Sequence, residues 1–317
     1  MKIVIPGGSG HVGCTLARAF QADGHHVTVL SRAPRPAPWP MVKWDGETPG
    51  DWVATLDGAD AVINLAGRSV NCRYGAANRR QIMDSRVRST EVLGRAIEAS
   101  PHPPAAWLQA STATIYAHRY DDANHETTGQ IGGGEPRAPE TWRFSIGVAT
   151  AWERAAREAR TPQTRKVLMR SAILMAPDRG GPFDLLLRLV RCGLGGHQGD
   201  GRQYFSWIHD RDFVRALYWL LAHDELDGPV NLASPHPLPN VELMGTLRRA
   251  WGARMGLPAS RWMLEAGALL LRTESELVLK SRRVVPGRLL RAGFTFEHPL
   301  WQPAAVDLCR RWREARA

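Results

Sequence analysis

The chain has 317 residues, 44% of them hydrophobic and 23% charged, enough to bury a sizeable core without metal or disulfide staples. Its four cysteines, Cys14, Cys72, Cys192 and Cys309, form no Cys-x-x-Cys pair, which argues against a metal site and a disulfide framework. The net charge of +10 comes almost wholly from scattered arginines; without zinc-finger spacing or an RNP-type motif, it favours sites for phosphate or carboxylate over a nucleic-acid partner.

A β-branched strand is expected at Lys2–Pro6, which leaves no room for a signal peptide. No apolar run approaches the roughly 20 residues of a membrane span. The expectation is therefore a cytoplasmic protein with no membrane contact. Cys14–Ala22 patterns as a helix with Leu16, Ala19 and Phe20 on one face, and Gly24 ends it. Strands follow at His26–Leu30, Met41–Trp44, Asp60–Leu65, Ala106–Ser111 and Arg165–Met169. Between them lie a short helix at Trp52–Leu56 and longer ones at Ala76–Ser100 and Phe144–Ala159. This alternation predicts an α/β fold, a doubly wound parallel sheet of the Rossmann type over residues 1–170. A smaller C-terminal α/β substrate lobe is expected over 171–317, with helices at Phe183–Cys192, Asp212–Ala222, Val241–Trp251 and Ala304–Arg313. Later strands are free to return to the main sheet.

The chemistry-bearing signal is Gly7-Gly8-Ser9-Gly10-His11-Val12-Gly13. It follows a strand and opens a helix, where glycines permit a tight turn and backbone N–H groups hold a pyrophosphate. Gly7, Ser9, Gly10, His11, Val12 and Gly13 are thus candidate cofactor contacts. At the end of the second strand, Ser31-Arg32 stands where an acidic residue would select NAD. Arg32 suits the 2′-phosphate of NADP(H) instead. Asn64, Ala66 and Gly67, at the end of the fourth strand, border the same crevice.

These motifs resemble the extended short-chain dehydrogenase/reductases. More narrowly, the chain is similar to the epimerase-family branch with a short C-terminal domain of unknown function, expected at about residues 255–312. The matching pieces include Asn64-Leu-Ala-Gly67, Asp84-Ser-Arg-Val87, Ser111–Tyr116, Trp152-Glu153, Gly201-Arg-Gln-Tyr-Phe-Ser-Trp-Ile-His209 and Arg283-Val-Val-Pro286. The resemblance implies a Rossmann fold, bound NADP(H) and hydride transfer on a small carbonyl or hydroxyl substrate. It places Thr112 at the catalytic Ser/Thr position beside Ser111, and Arg86 where relatives carry an asparagine.

The family's Tyr and Lys should fall at 145 and 149, which are Ser145 and Ala149 here. Tyr116 is the substitute proton donor the sequence offers. Arg170, Gln203, Trp207 and His209 are candidate substrate-pocket residues. The expected partner is a small-molecule substrate, in a monomer or homodimer. The missing pair leaves open an alternative, a non-catalytic NADP(H)-binding sensor or scaffold.

Overall fold

Ile3, Val4 and Ile5 are fully buried, because their strand, β1 (Lys2–Pro6), is covered on both faces. The computed structural model describes residues 1–136, 138–270, 274 and 276–316. The glycine-rich loop at 129–139 and the C-terminal segment at about 255–312 each include positions outside the described residues.

The other strands of the main sheet are β2 (His26–Ser31), β3 (Met41–Lys43), β4 (Ala61–Asn64), β5 (Ala106–Thr112), β6 (Arg165–Ser171) and β10 (Gly228–Leu232). Every neighbouring pair is parallel, in the order β10-β6-β5-β4-β1-β2-β3. The connections reverse direction between β1 and β4, and that switch point opens a crevice at the strands' C-terminal ends. The seventh strand comes from beyond residue 170. The chain leaves the sheet after β6 and returns at β10 before ending in helices.

On one face of the sheet, α1 (His11–Ala22) and α5 (Asp210–Ala222) bury Leu16, Phe20, Phe213 and Leu217 against Ile3, Ile5 and Val29. On the other, α2 (Ala76–Glu98) and α3 (Glu140–Glu158) bury Val92, Leu93 and Ala156 against Val4, Val62 and Trp107. Helix α1 begins at His11 rather than Cys14, because extended Gly10 is its N-cap. The remaining lobe packs α4 (Pro182–Arg191), α6 (Asn240–Trp251) and α10 (Trp301–Glu314) around Phe183, Trp207, Leu247 and Leu308. Two short pairings brace it, β7 (Ile173–Met175) with β9 (Trp207–His209) and β8 (Tyr204–Phe205) with β11 (Leu238–Pro239). Among the described residues, no helix is long and apolar enough to cross a membrane.

Candidate functional site

The chain passes from β1 into α1 through a turn that only glycine fits. Gly7 has a φ of +75°, and a Cβ there would stand 2.6 Å from Ala66 Cα. A Cβ on Gly13 would stand 2.3 Å from Gly8 Cα, so α1 packs directly on the turn. The N–H groups at the start of α1 therefore face the switch-point crevice, with the positive end of the helix dipole behind them. His11 also lines the crevice, and its Nε2 is buried without a hydrogen-bond partner among the described residues.

One half of the crevice, about 810 Å³, lies beside the end of β2 and is bordered by Gly7, Ser9, Gly10, Ser31, Arg32, Arg35, Ala66, Gly67 and Arg68. Ser31 Oγ donates to Ser9 Oγ at 3.0 Å, and Arg35 reaches back to Ser9 O at 3.1 Å. Arg32 is exposed and makes no ion pair among the described residues. Three carboxylates border this half as well, but each has partners. Asp45 accepts from the N–H groups of Glu47 and Thr48 and from the Thr48 hydroxyl, which hold its carboxyl below the usual range. Glu47 and Asp84 both face Arg88. Arg32 and Arg35 are therefore left to meet an anion.

The other half is a cavity of about 410 Å³ beyond the ends of β5 and β6. Its walls are largely apolar, from Val70, Ile82, Phe144, Val148, Trp152, Leu174 and Phe213, with Ser111 and Thr112 at the strand end. Thr112 Oγ1 accepts from Thr114 N at 3.1 Å, which leaves its O–H proton to donate. Arg86 lies over the Trp152 ring at 5.0 Å and donates to Ile82 O. Burial brings its guanidinium down to about 10.

A strap from the C-terminal segment borders this cavity through Glu276 and Arg282. It carries Glu274, α8 (Glu276–Leu279), Lys280 and Arg282, and it is stitched to both rims. Glu274 Oε1 accepts from Tyr74 N at 2.7 Å on one side. On the other, Lys280 Nζ donates to Thr114 O at 2.8 Å and Arg282 Nε to Thr114 Oγ1 at 3.1 Å. Behind the strap, Arg282 N donates to Tyr204 O, Ser206 Oγ to Arg282 O, and Gln203 Nε2 to Val278 O. The result is a buried polar group against the apolar wall. Ser145 Oγ donates to Glu276 Oε2 at 2.6 Å, and Tyr74 borders the same cavity.

A family model described as NAD dependent epimerase/dehydratase matches residues 3–233, well over half of the chain. The chain belongs to this family. A second model, Domain of unknown function (DUF1731), matches residues 259–308, the stretch that holds the strap. The epimerase family protein SDR39U1 of Bos taurus is 31% identical over 307 residues, covering 94% of this chain and 96% of the relative. An epimerase family protein of Staphylococcus epidermidis is 30% identical over 314 residues, covering 98% and 99%. The crystal structure of human epimerase family protein SDR39U1 (isoform 2) with NADPH aligns at a TM-score of 0.85 and 29% identity, covering 98% of this chain and 99% of that one. A UDP-N-acetylglucosamine 4-epimerase from Bacillus cereus, at 18% identity and a TM-score of 0.69 over 99% of each chain, shares the fold alone.

Within this family frame, the residues predicted from sequence fall into two groups. Gly7, Ser9, Gly10, Ser31, Arg32, Ala66 and Gly67 border the first half of the crevice. His11, Val12, Arg86, Ser111 and Thr112 border the second, as do Ser145 and Ala149. Gly13 stands behind the turn. Asn64 is fully buried, with Nδ2 donating to Gln109 and Oδ1 accepting from Ala66 N, so it shapes the strand end from within.

The remaining candidates do not line the cavity. Tyr116 is buried; its hydroxyl donates to Asn231 Oδ1 and accepts from Arg170, both at 2.9 Å. Arg170 also holds Glu153 through two hydrogen bonds. Trp207 packs on Trp301 in the C-terminal core. Gln203 pins the strap from behind. His209 caps α5, stacks on His298 and sits 3.2 Å from both Asp210 and Asp307. Its imidazole is nonetheless brought down to about 4, because burial outweighs the two carboxylates and His298 adds to the effect. Sequence reasoning passed over Arg35, Tyr74, Glu276 and Arg282. Only Arg35, three residues past Arg32, carried a local signal.

Proposed function

We propose that the chain is an NADP(H)-dependent oxidoreductase, epimerase-like in its chemistry, acting on a small carbonyl or hydroxyl compound. The observation that carries this is the β2 end of the crevice, where among the described residues no carboxylate pairs with Arg32 or Arg35 beside a glycine turn. The NADPH in the crystal structure of the similar human protein supports the same choice of cofactor. The residues fit such a group: the turn leaves no room for a Cβ, and His11 Nε2 offers an unused buried atom. Gly7–Gly13 would hold the pyrophosphate, and Ser31, Arg32 and Arg35 the 2′-phosphate. When bound, NADPH supplies a hydride. Thr112 orients the substrate oxygen by donating its hydroxyl proton, and the apolar walls exclude water. Tyr116 works at a distance, holding Arg170 and the end of β6 in position.

Arg32→Ala tests the cofactor choice. A charge-assisted hydrogen bond contributes about 1.5–3 kcal/mol, so NADPH affinity should fall roughly 10- to 100-fold while NADH affinity barely moves. Fluorescence titration of both reads this directly. Equal wild-type affinity for the two would remove the argument.

A second reading, an NADP(H) sensor or scaffold without hydride transfer, is favoured by Ser145 and Ala149 at the family's Tyr and Lys positions. Following NADPH oxidation against a panel of aldehydes and ketones separates the two. Tight binding with no turnover supports the sensor.

A further inference from the structure

Glu276 is 2% exposed, and it borders the cavity that Thr112 borders from the opposite strand end. Its two oxygens differ. Oε2 accepts the Ser145 hydroxyl at 2.6 Å, whereas Oε1 is buried with no hydrogen-bond partner among the described residues. A buried carboxylate oxygen left without a partner is costly, and such a cost is commonly met at sites that handle a proton or a ligand. Ser145 is the residue at the family's tyrosine position. The carboxylate therefore reaches, through one hydroxyl, the place from which that tyrosine would work.

We propose that Glu276 is the proton donor and acceptor of this cavity, delivered by the C-terminal strap in place of the missing tyrosine. The proposal rests on the oxidoreductase reading above. In the reducing direction the substrate's carbonyl carbon takes the hydride and its oxygen takes the proton from the Glu276 carboxyl. A C–H and an O–H bond form, NADPH is oxidised to NADP+, and the carboxylate left behind regains its proton from solvent. In the oxidising direction the same carboxylate accepts the hydroxyl proton.

The groups around Glu276 suit a proton that must be kept and then released. From its own segment Arg282, Lys280 and Glu274 face it, Ser145 reaches it from α3, and Tyr74 stands before α2 with Arg86 beyond. Burial is the largest influence and Glu274 adds to it, so the carboxyl is pushed above the usual carboxylate range against the pull of Arg282, Ser145 and Lys280. The neighbouring Tyr74 phenol is pushed up to about 12, chiefly by burial. That makes it a poor donor near neutrality, where transfer favours a group titrating close to the working pH.

The test uses the full chain, with Glu276→Gln and Glu276→Asp. NADPH titration first establishes that each variant folds and loads the cofactor. In cofactor-free protein labelled with 13C at glutamate carboxyls, one resonance should titrate above the ordinary range and vanish in Glu276→Gln. Against the carbonyl panel, Glu276→Gln should lose roughly 100- to 10,000-fold in kcat. It should also lose the fall in rate that the wild type shows as pH rises through that titration, and Glu276→Asp should recover part of both. A Glu276→Gln variant with wild-type rate and pH profile overturns the assignment and leaves the cofactor reading standing. A Glu276 resonance in the ordinary range overturns it as well. A wild type that binds NADPH yet reduces no member of the panel overturns the oxidoreductase reading, and this assignment with it.

Discussion

Arg170→Leu tests whether the buried charges beneath the cavity work as a unit. Arg170 Nε and Nη2 meet Glu153 Oε1 and Oε2 at 2.7 and 2.9 Å, with side chains only 6% and 1% exposed. Removing one member of such a pair costs about 3–5 kcal/mol, because the other stays buried and uncompensated. Glu153 keeps the Ser111 hydroxyl and the half-exposed Arg157, each at 2.7 Å. Those contacts place the cost near the lower bound, about 3 kcal/mol. An unfolding entropy of about 2.1 cal/mol/K per residue gives a chain of this length about 0.7 kcal/mol/K, so the midpoint should drop by about 4–5 °C. In the wild type the Glu153 carboxyl is held below the usual range: burial would raise it, but Arg170, Ser111 and Arg157 prevail. That stabilisation is complete above the unfolded carboxylate range and is lost as pH falls through the lowered value. In the variant burial acts with less opposition, so protonation relieves the strain. Differential scanning calorimetry should find the full gap at pH 8 and a narrowing gap toward pH 4. Adding Glu153→Gln should restore at least half of the loss. A double variant no better than Arg170→Leu would refute the reasoning and assign the cost to lost packing.

Two further changes probe the frame around the site. Gly13→Ala sets a methyl group 2.3 Å from Gly8 Cα with only backbone to yield. It should cost about 1–3 kcal/mol in thermal unfolding and weaken NADPH binding in the fluorescence titration, because the turn must shift. His209 is neutral when folded, its imidazole brought down from 6.5 to about 4 by burial. The unfolded chain thus binds the extra proton between those values, and stability should rise with pH across that window. Thermal melts of His209→Gln should lose that slope.

Six of the seven strands of the sheet were legible, most plainly where a short β-branched run is buried, as with Ile3–Ile5 and Val27–Leu30, whereas β10 was left only as a strand free to return. The glycine turn was legible because its glycines are required by contacts within a few residues, or with the adjacent strand end at Ala66. Arg32 was legible for the same reason, since its place follows from the end of β2. The substrate side is different. Tyr116 sits four residues past Thr112 and suggested a substitute proton donor, but the chain folds its ring inward onto Asn231 and Arg170. The Gly201–His209 stretch was recognisable as a motif, yet its pattern does not say which way it faces. Its backbone and side chains hold the strap, and the strap holds the cavity.

Glu153 and Glu276 show why the chemistry had to come from environment rather than residue type. Both are buried glutamates within reach of arginine. Glu153 receives two bonds from Arg170, one from Arg157 and one from Ser111, so each of its oxygens is engaged and its proton is gone. Around Glu276 the cations are turned elsewhere. Lys280 donates to Thr114 O, and Arg282 to Thr114 Oγ1 and to the carbonyls of Lys280 and Glu276. They favour the carboxylate electrostatically without closing an ion pair on it, and among the described residues Oε1 has no hydrogen-bond partner beside the cavity. One glutamate is thereby fixed as a structural anion, while the other's carboxyl is pushed above the usual carboxylate range. The strap's hydrogen bonds to Thr114 maintain that difference, since they orient its cations away from the acid they accompany.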